Sequence, residues 1–293
     1  MDTAALTAFV EVAQAGSFSG AAHRLFLTQS AVSKRIAQLE EQLGSKLFDR
    51  IGRQIRLTEA GNSLLPQARR ILAELEDAKR LLNNLSGEVA GRLSLAASHH
   101  ISLHRLPKTL RRFTQAHPSV EMDLRFYESE VAYDAVVHGD IELALITLSP
   151  ETDPRIHAET LWVDRLFYCV SKHHPLAKLK KIDFKTINQY PGILPAPDTF
   201  TSRIVHEQLL QLGLEPNLGI STNYLDTIRM MVQVGLGWSL LPETLIDKEL
   251  VKLPADIDSI ERPLGFIYHR DRTLSNAAKA LLAMLKSDTF EAS

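Results

Sequence analysis

Residues 17–57 contain the stretch that decides the fold, and they read SFSGAAHRLFLTQSAVSKRIAQLEEQLGSKLFDRIGRQIRL. A first segment with apolar residues at helical spacing stops at Leu27 and Thr28, and a second runs from Gln29 to Leu43. Two helices joined by a turn of about three or four residues form a helix-turn-helix, whose second helix fits the major groove of DNA. The stretch therefore predicts a DNA-recognition unit.

The outward face of the second helix carries side chains that hydrogen-bond base edges or phosphates. A small helical core with a solvated basic face would show the same pattern, so the helices by themselves leave both interpretations open. The predicted groove-facing residues are Thr28, Gln29, Ser30, Ser33, Lys34 and Arg35.

A basic hairpin follows the second helix and favours the DNA-binding interpretation. Gly44 can end the helix in a left-handed conformation, and two short alternating runs within residues 46–57 flank Gly52. A hairpin beside a recognition helix is a wing, whose arginines can follow the phosphate backbone or enter the minor groove. The predicted wing contacts are Arg50, Arg53 and Arg56.

Residues from Phe9 to Gly61 follow the order F-x-x-V-x-x-x-G-S-F-S-x-A-A-x-x-L-x-x-T-Q-S-A-V-S-x-x-I-x-x-L-E-x-x-L-G-x-x-L-F-x-R-x-x-R-x-x-x-L-T-x-A-G. It resembles the amino-terminal signature of LysR-type transcriptional regulators. Many members of that family carry Pro in place of Ser30 and Arg in place of Lys34. A lysine keeps the charge but loses the bidentate geometry, which favours a phosphate contact for Lys34 over a base contact.

Residues 58–86 are predicted to form a helix with an apolar stripe whose members are spaced alternately by four and three. The stripe packs either on its own chain or on the same helix of a second copy, and the regular alternation favours pairing. Pro66 lies inside the first turns and predicts a bend or a weak start. The stripe consists of Leu64, Ala68, Ile71, Leu75, Ala78, Leu82 and Leu85.

The remaining residues alternate strand and helix signals, which is typical of parallel sheets covered by helices. Residues 104–116 read as one amphipathic helix. The family resemblance implies a two-lobed α/β effector domain similar to periplasmic solute-binding proteins, with crossover strands at about 161–169 and 264–269. The predicted α/β organisation is a winged helix-turn-helix domain at 1–58, a linker helix and hinge at 59–90, and an effector domain at 91–293. Lobe I takes about 91–162 and 267–293, and lobe II about 163–266.

A ligand site is expected where strands end and helices begin, because helix N-termini offer free N–H groups and a positive dipole end. These loops suit a small anion or carboxylate. For each hydroxyl the competing interpretation is a helix cap. The predicted ligand-binding residues are Ser98, His99, His100, Ser102, Ser129, Thr147, Thr199, Ser202 and Asn223.

Composition and charge exclude several classes of protein. Seven basic and three acidic residues between Arg24 and Arg56 give that segment +4, whereas the 293-residue chain is −2, so attraction to phosphate is local. No apolar run reaches the roughly 18 residues of a membrane span, and the start lacks the basic region of a signal peptide, so we expect a cytoplasmic protein. The single cysteine, Cys169, excludes an internal disulfide and is expected to be a buried, inert thiol.

Catalytic and metal sites are not expected. His99, His100 and His104 lie close in sequence, but no cysteine or carboxylate nearby completes a metal site, and no cofactor motif is complete. The predicted function is a ligand-responsive DNA-binding regulator, not an enzyme, with double-stranded DNA and a small molecule as partners. We expect a homodimer through the linker helix and a homotetramer. The alternatives are a cytoplasmic solute-binding or transport-accessory protein with a helical dimer module, and an enzyme on a two-lobed scaffold.

Overall fold

The computed structural model of the chain describes residues 2–51, 54–254 and 259–290. The chain divides into two compact units, residues 1–86 with 138–140, and residues 87–137 with 141–293. Each unit has its own hydrophobic core. No helix within the described residues combines the length and the apolar character that crossing a membrane requires.

The first unit consists of helices and one hairpin. Its elements are α1 (Thr3–Ala15), α2 (Phe18–Arg24), α3 (Gln29–Leu43), β1 (Phe48–Ile51), β2 (Gln54–Leu57) and α4 (Glu59–Asn84). The strands β1 and β2 are antiparallel, with Phe48 opposite Leu57 and Ile51 opposite Gln54. The predicted helix-turn-helix and wing hairpin are therefore present.

An aromatic cluster holds the hairpin against the helices. The ring of Phe48 in β1 lies 5.4 Å from the ring of Phe9 and 5.8 Å from that of Phe18, measured between centroids. All three side chains are buried. Pairs of this geometry contribute roughly 0.5–1.5 kcal/mol beyond the burial of their area. The wing is thus fixed to the unit through its first strand.

The ends of the recognition helix follow from its sequence. Thr28 caps α3 by accepting a hydrogen bond from the Ala31 N–H at 3.2 Å. Gly44 ends the helix with φ of 65°, a conformation that costs other residues about 1–2 kcal/mol. Phe26, in the turn before α3, adopts a similar φ of 54° and is almost fully exposed. This strain at a non-glycine residue was not predicted from the sequence.

Glu40 is the last buried residue of α3, after Val32, Ile36 and Leu39. Its Oε1 accepts hydrogen bonds from the backbone N–H groups of Leu47 at 2.8 Å and Phe48 at 3.4 Å, and its Oε2 accepts one from Lys46 Nζ at 2.7 Å. Leu43 is 41% exposed, since α3 ends one residue later. A buried carboxylate therefore joins the recognition helix to the first strand of the wing.

The linker helix α4 is one continuous helix. The Thr58 hydroxyl caps it by accepting from the Gly61 N–H at 3.0 Å, so the weak start predicted from Pro66 is wrong. Packing of Leu64 and Ala68 against the core of the first unit supports the turns around the proline. Further along, the stripe is exposed, and Leu82 and Leu85 are 69% and 82% exposed. Within one chain, the second half of the predicted stripe has no apolar partner among the described residues.

The second unit is built on a mixed sheet. Its first part contains β3 (Gly91–Ala97), α5 (His99–His104), α6 (Pro107–Ala116), β4 (Val120–Phe126), α7 (Ser129–His138), β5 (Leu143–Thr147) and β6 (Ile156–Ser171). Its second part contains α8 (Phe184–Ile187), β7 (Gly192–Leu194), α9 (Phe200–Gln211), β8 (Leu218–Ser221), α10 (Leu225–Gln233), β9 (Ser239–Pro242), β10 (Leu250–Lys252), β11 (Ile260–His269) and α11 (Asn276–Phe290).

Seven strands form the main sheet in the order β10-β6-β11-β5-β3-β4, with β9 also paired to β6. Strands β3, β4 and β5 are parallel, as predicted, whereas β11, which contains the second predicted crossover strand, is antiparallel to both β5 and β6. Strand β11 pairs along its full length with the first part of β6, from Ile260 opposite Leu166 to His269 opposite Ile156. Gly265 is required at a bulge between them, because a Cβ atom there would lie 2.0 Å from Glu159 O.

The hydrophobic cores separate into two groups along these long strands. One core gathers Leu95, Phe113 and Leu281 under β3, α6 and α11. Another gathers Ile187 and Trp238 in the segment that lies between β6 and β11 in sequence. We call these parts lobe I and lobe II, as in the sequence prediction.

The single helix predicted for residues 104–116 is wrong. The chain forms α5 and then α6, and Pro107 stands at the start of α6. Proline has no N–H to donate to the preceding turn, but it fits the first turn of a new helix. This break leaves α5 as a short helix directly after β3.

We predict that Glu40→Ala destabilises the first unit by roughly 1–3 kcal/mol, because it leaves two backbone N–H groups in a buried place without an acceptor. Urea denaturation gives the loss, and amide hydrogen exchange at Leu47 and Phe48 locates it. Glu41→Ala, an exposed carboxylate next along α3, is the matched control. Equal effects of the two substitutions would contradict the anchoring role of Glu40.

The same anchor predicts a pH dependence. Burial raises the pKa of the Glu40 carboxyl, but the hydrogen bonds from Lys46, Leu47 and Phe48 outweigh burial and hold the pKa below its usual value. A carboxyl with a lowered folded-state pKa contributes stability above its unfolded-state pKa and loses it as the pH falls through the folded-state pKa. The difference in unfolding free energy between the native chain and Glu40→Gln should therefore shrink on acidification through that window.

Candidate functional site

The start of α3 presents polar side chains to solvent. Thr28, Gln29, Ser30 and Lys34 are exposed, whereas Ser33 and Arg35 are half-buried. All six predicted groove-facing residues thus lie on the cap or the first two turns of one helix, the part of a recognition helix that meets base edges.

Gln29 is held in one orientation by the preceding helix. Ser19 Oγ in α2 donates a hydrogen bond to Gln29 Oε1 at 3.1 Å. Because the amide oxygen is engaged, the Nε2 group is the end of Gln29 that remains to donate to a base acceptor. The bond also ties α2 to the exposed start of α3.

The wing strands place basic residues after the recognition helix. Arg56 lies in β2 opposite Asp49 and is exposed. Arg50 belongs to β1, while its side chain, like the whole of Arg53, lies outside the described part of the chain. Of the three predicted wing contacts, only the Arg56 side chain can therefore be located.

A second candidate site is a cavity of about 160 Å³ in the second unit, lined by residues of both lobes. Its wall contains the loops that follow β3, β4 and β5 and the starts of α9 and α10. The cavity brings together seven of the nine predicted ligand-binding residues: Ser98, His99, His100, Ser129, Thr147, Thr199 and Asn223.

Some polar side chains in this wall already make hydrogen bonds to backbone N–H groups, and others do not. Thr199 caps α9 by accepting from the Ser202 N–H, and the Ser129 hydroxyl accepts from the Thr147 N–H at 3.1 Å. Asn223 Oδ1 accepts from the Ala196 N–H at 2.9 Å. Ser98 stands at the N-cap of α5 and is buried, yet it makes no side-chain cap bond. Its hydroxyl is therefore available to a ligand.

Two predicted ligand-binding residues do not line this cavity. Ser102 points back along α5 and donates from its hydroxyl to His99 O at 2.7 Å. Ser202 is buried and donates to Pro195 O at 2.6 Å, on the side of α9 that lines a separate apolar cavity. Both hydroxyls donate to backbone carbonyl groups, so neither one acts as the N-cap that the competing interpretation predicted.

A charged cluster borders the cavity. Asp164 in β6 accepts hydrogen bonds from Arg262 in β11 at 2.5 Å and from Arg105 at 2.7 Å, and His100 Nε2 lies 3.2 Å from the same carboxylate. Arg262 is 2% exposed and lines the cavity, and its Nε has no hydrogen-bond partner among the described residues.

The electrostatics of this cluster give each member a definite charge. Burial raises the pKa of Asp164, but His100 and Arg262 outweigh burial and hold the pKa far below its usual value. Burial lowers the pKa of His100, which favours a neutral imidazole. Two guanidinium groups thus share one carboxylate, and the cluster carries a net positive charge beside the cavity.

Arg262, Asp164 and Arg105 were absent from the sequence-predicted site. Arg262 and Asp164 stand inside strands, whereas the prediction searched only strand ends and helix starts. The available signal was a carboxylate in one strand and a guanidinium in another, because such charges are seldom buried without partners.

Metal and thiol chemistry find little support in the described residues. The rings of His100 and His104 lie 4.9 Å apart, but no group of three or more His, Cys, Asp or Glu side chains there is arranged to hold a metal ion. Cys169 is buried, and burial raises the pKa of its thiol to about 12, so the nucleophilic thiolate is scarce.

Comparison with known proteins gives matches over both units. Residues 3–62 match the model of the bacterial regulatory helix-turn-helix protein, lysR family, and residues 86–289 match the LysR substrate binding domain. The transcriptional dual regulator GltC of Bacillus subtilis is 30% identical over 283 residues, which are 95% of this chain and 94% of GltC.

A second relative and one solved structure extend the comparison. An uncharacterized HTH-type transcriptional regulator in the ibpB-leuC intergenic region of Azotobacter vinelandii is 67% identical over 107 residues, 36% of this chain and 74% of that protein. The full-length structure of CbnR in complex with its target DNA superposes with a TM-score of 0.64 at 20% identity, covering 99% of this chain and 100% of that one. At this identity the structural likeness concerns the fold.

We predict that Gln29→Ala relaxes sequence preference at one or two base pairs, at a cost of roughly 1–3 kcal/mol for the preferred sequence, because a base-reading amide is lost. Binding is measured by fluorescence anisotropy at fixed salt, on a duplex that the chain selects from a random library and on random duplex. Gln42→Ala, an exposed glutamine at the far end of α3, is the control. Equal losses of Gln29→Ala on both duplexes would remove Gln29 from the base-reading set.

Proposed function

Since the chain belongs to the LysR family of DNA-binding transcriptional regulators, we propose that it responds to a small carboxylate bound in the cavity of its second unit. The observation that carries the proposal is Arg262, a buried guanidinium that lines the cavity and whose Nε has no partner among the described residues. A buried cation with an unused donor is stabilised by an anion that reaches it.

The neutral donors and helix ends in the wall support the same ligand class. The uncommitted Ser98 hydroxyl lines the cavity together with Thr199 at the start of α9. The N-terminus of a helix of this length favours negative charge nearby. A ligand held by the predicted set Ser98, His99, His100, Ser129, Thr147, Thr199 and Asn223 would touch both lobes.

The relatives do not favour the other functions considered. GltC and the other relatives named above are transcriptional regulators, not solute-binding accessory proteins or enzymes. On DNA, the proposed contacts are the start of α3 in the major groove and the wing along the backbone, through Thr28, Gln29, Ser30, Ser33, Lys34, Arg35, Arg50, Arg53 and Arg56. We place this activity in the cytoplasm, where the chain would meet its operator.

We also propose that α4 pairs two copies of the chain, with a tetramer as the larger assembly. The exposed second half of its stripe supports pairing, since Leu75, Leu82 and Leu85 present apolar surface at the spacing of a heptad seam. Two paired recognition helices can then read two half-sites of an operator.

Ser98→Ala should weaken carboxylate binding about tenfold, because it removes one hydrogen bond to a charged group and no side-chain cap bond of α5. Isothermal titration of small carboxylic acids, each paired with its primary amide, gives the affinities. Ser102→Ala is the matched control on the same helix, since its hydroxyl lies outside the cavity. Amides that bind as well as their acids would contradict a carboxylate ligand.

Leu82→Asp should convert the dimer to smaller species in sedimentation, because an unpaired charge in an apolar interface costs several kcal/mol. Leu81→Asp is the matched control, since Leu81 is 55% exposed on the same helix but lies beside the stripe. If both variants sediment like the native chain, α4 does not form the pairing surface.

A further inference from the structure

The cavity lined by Arg262 is also lined by two carboxylates, Glu128 and Glu130. Glu130 lies in the first turn of α7 in lobe I, and its Oε1 accepts a hydrogen bond from the N–H of Phe200, the first residue of α9 in lobe II. This bond joins residues 70 positions apart, so Glu130 reaches from one lobe to the other.

Packing around this bond fixes where the Glu130 charge lies. The ring of Tyr133, one turn further along α7, meets the ring of Phe200 edge-on with centroids 5.7 Å apart. The guanidinium carbon of Arg203 lies 4.8 Å from the centroid of the same ring. The N-terminus of α9 directs its N–H groups and its positive dipole end at this carboxylate, which attracts the carboxylate to that place. Glu130 is thus a positioned negative charge and not a loose surface carboxylate.

The charges of the lining residues determine which ligand charge the cavity favours. At Asp164, two guanidinium groups face one carboxylate, which leaves one positive charge for a ligand. Glu128 and Glu130 bring two negative charges to the same wall. One ligand carboxylate therefore neutralises the arginine end of the cavity, whereas a second would meet the like charges of Glu128, which is exposed, and Glu130, which is half-buried.

The two carboxylates in the wall determine which second group suits the ligand. Glu128 and Glu130 carry hydrogen-bond acceptors, so a ligand group beside them must donate a hydrogen bond. His100 does not decide this point, because both of its ring nitrogens are buried and lack a hydrogen-bond partner among the described residues, although Nε2 lies 3.2 Å from Asp164 Oδ2.

We propose that Glu130 is the residue that makes this cavity selective for monocarboxylates carrying an ammonium or hydroxyl donor, and against dicarboxylates. The inference rests on the proposed carboxylate function of the cavity, and it adds the charge and the donor that the ligand must have. Glu130 acts from a fixed position, because its bond to the Phe200 N–H holds it at the rim of the cavity.

The first test uses the unaltered full-length chain and needs no variant. Isothermal titration compares succinate with its monomethyl ester, at a pH where both carboxyl groups of succinate are ionised, and adds lactate and L-serine as monocarboxylates with a donor. Succinate should bind about tenfold more weakly than the half-ester, despite being the smaller molecule, because its second charge is repelled. Succinate that binds as well as or better than its half-ester would overturn the proposal.

The second test assigns the selectivity to Glu130. E130Q should reduce the affinity ratio between half-ester and diacid to about threefold or less, since the charge is lost while an oxygen acceptor for Phe200 remains. E128Q removes the same charge from the same wall but has no bond to α9, and it should change the ratio less. E130D keeps the charge and should keep the ratio. Equal changes in E130Q and E128Q overturn the assignment.

Failure of the inference and failure of the proposed function are distinguishable. Suppose that lactate and L-serine bind and that Ser98→Ala weakens their binding, but that E130Q leaves the affinity ratio between half-ester and succinate unchanged. The inference then fails and the carboxylate function stands. If none of these acids binds the unaltered chain, the carboxylate function fails and the inference falls with it. The melting temperatures of the variants show whether each one is folded.

Discussion

The organisation of the second unit depends on Asp164, because one buried carboxylate holds side chains from three elements. Arg262 comes from β11, and Arg105 and His100 come from α5 and the residue after it, while Asp164 itself stands in β6. Removing the carboxylate would leave two guanidinium groups with no counter-charge, and breaking a buried pair in this way costs roughly 3–5 kcal/mol. The cluster therefore fixes α5 relative to both long strands.

This constraint also explains why the cavity wall is suited to a ligand. With α5 fixed by the cluster, Ser98 at its N-cap stays at the cavity although no cap bond holds it there. Thr199, Ser129 and Asn223 are in contrast engaged by the backbone. The wall thus contains polar groups whose hydrogen bonds stabilise the loops and a few polar groups that have no such bond. Only the groups without such a bond can bind a ligand without breaking a hydrogen bond of the fold.

The sequence predicts those parts of the structure that arise from local signals. The helix-turn-helix, the wing hairpin and the capped linker helix follow from spacing, caps and glycines within a few residues of one another. Seven ligand-site residues were found because strand ends and helix starts converge in folds of this kind. Asp164 and Arg262 are 98 residues apart, and Glu130 and Phe200 are 70 apart, so neither pair leaves a local pattern. The antiparallel pairing of β6 with β11 is equally long-range and was also missed.

The strengths of the contacts between the lobes indicate which of them a ligand can change. Glu130 bonds the N–H of Phe200, and the ring of His99 meets that of Tyr224 at 5.2 Å between centroids. A hydrogen bond to a charged group contributes about 1.5–3 kcal/mol and an aromatic pair about 0.5–1.5 kcal/mol. A ligand shifts an equilibrium only by its difference in affinity between the two arrangements, and allosteric coupling energies are typically about 1–3 kcal/mol. Such energies suffice to rearrange the rim contacts but not to break the Asp164 cluster. Movement of the lobes would therefore leave the arginine end of the cavity intact and change its rim, where Glu130 lies.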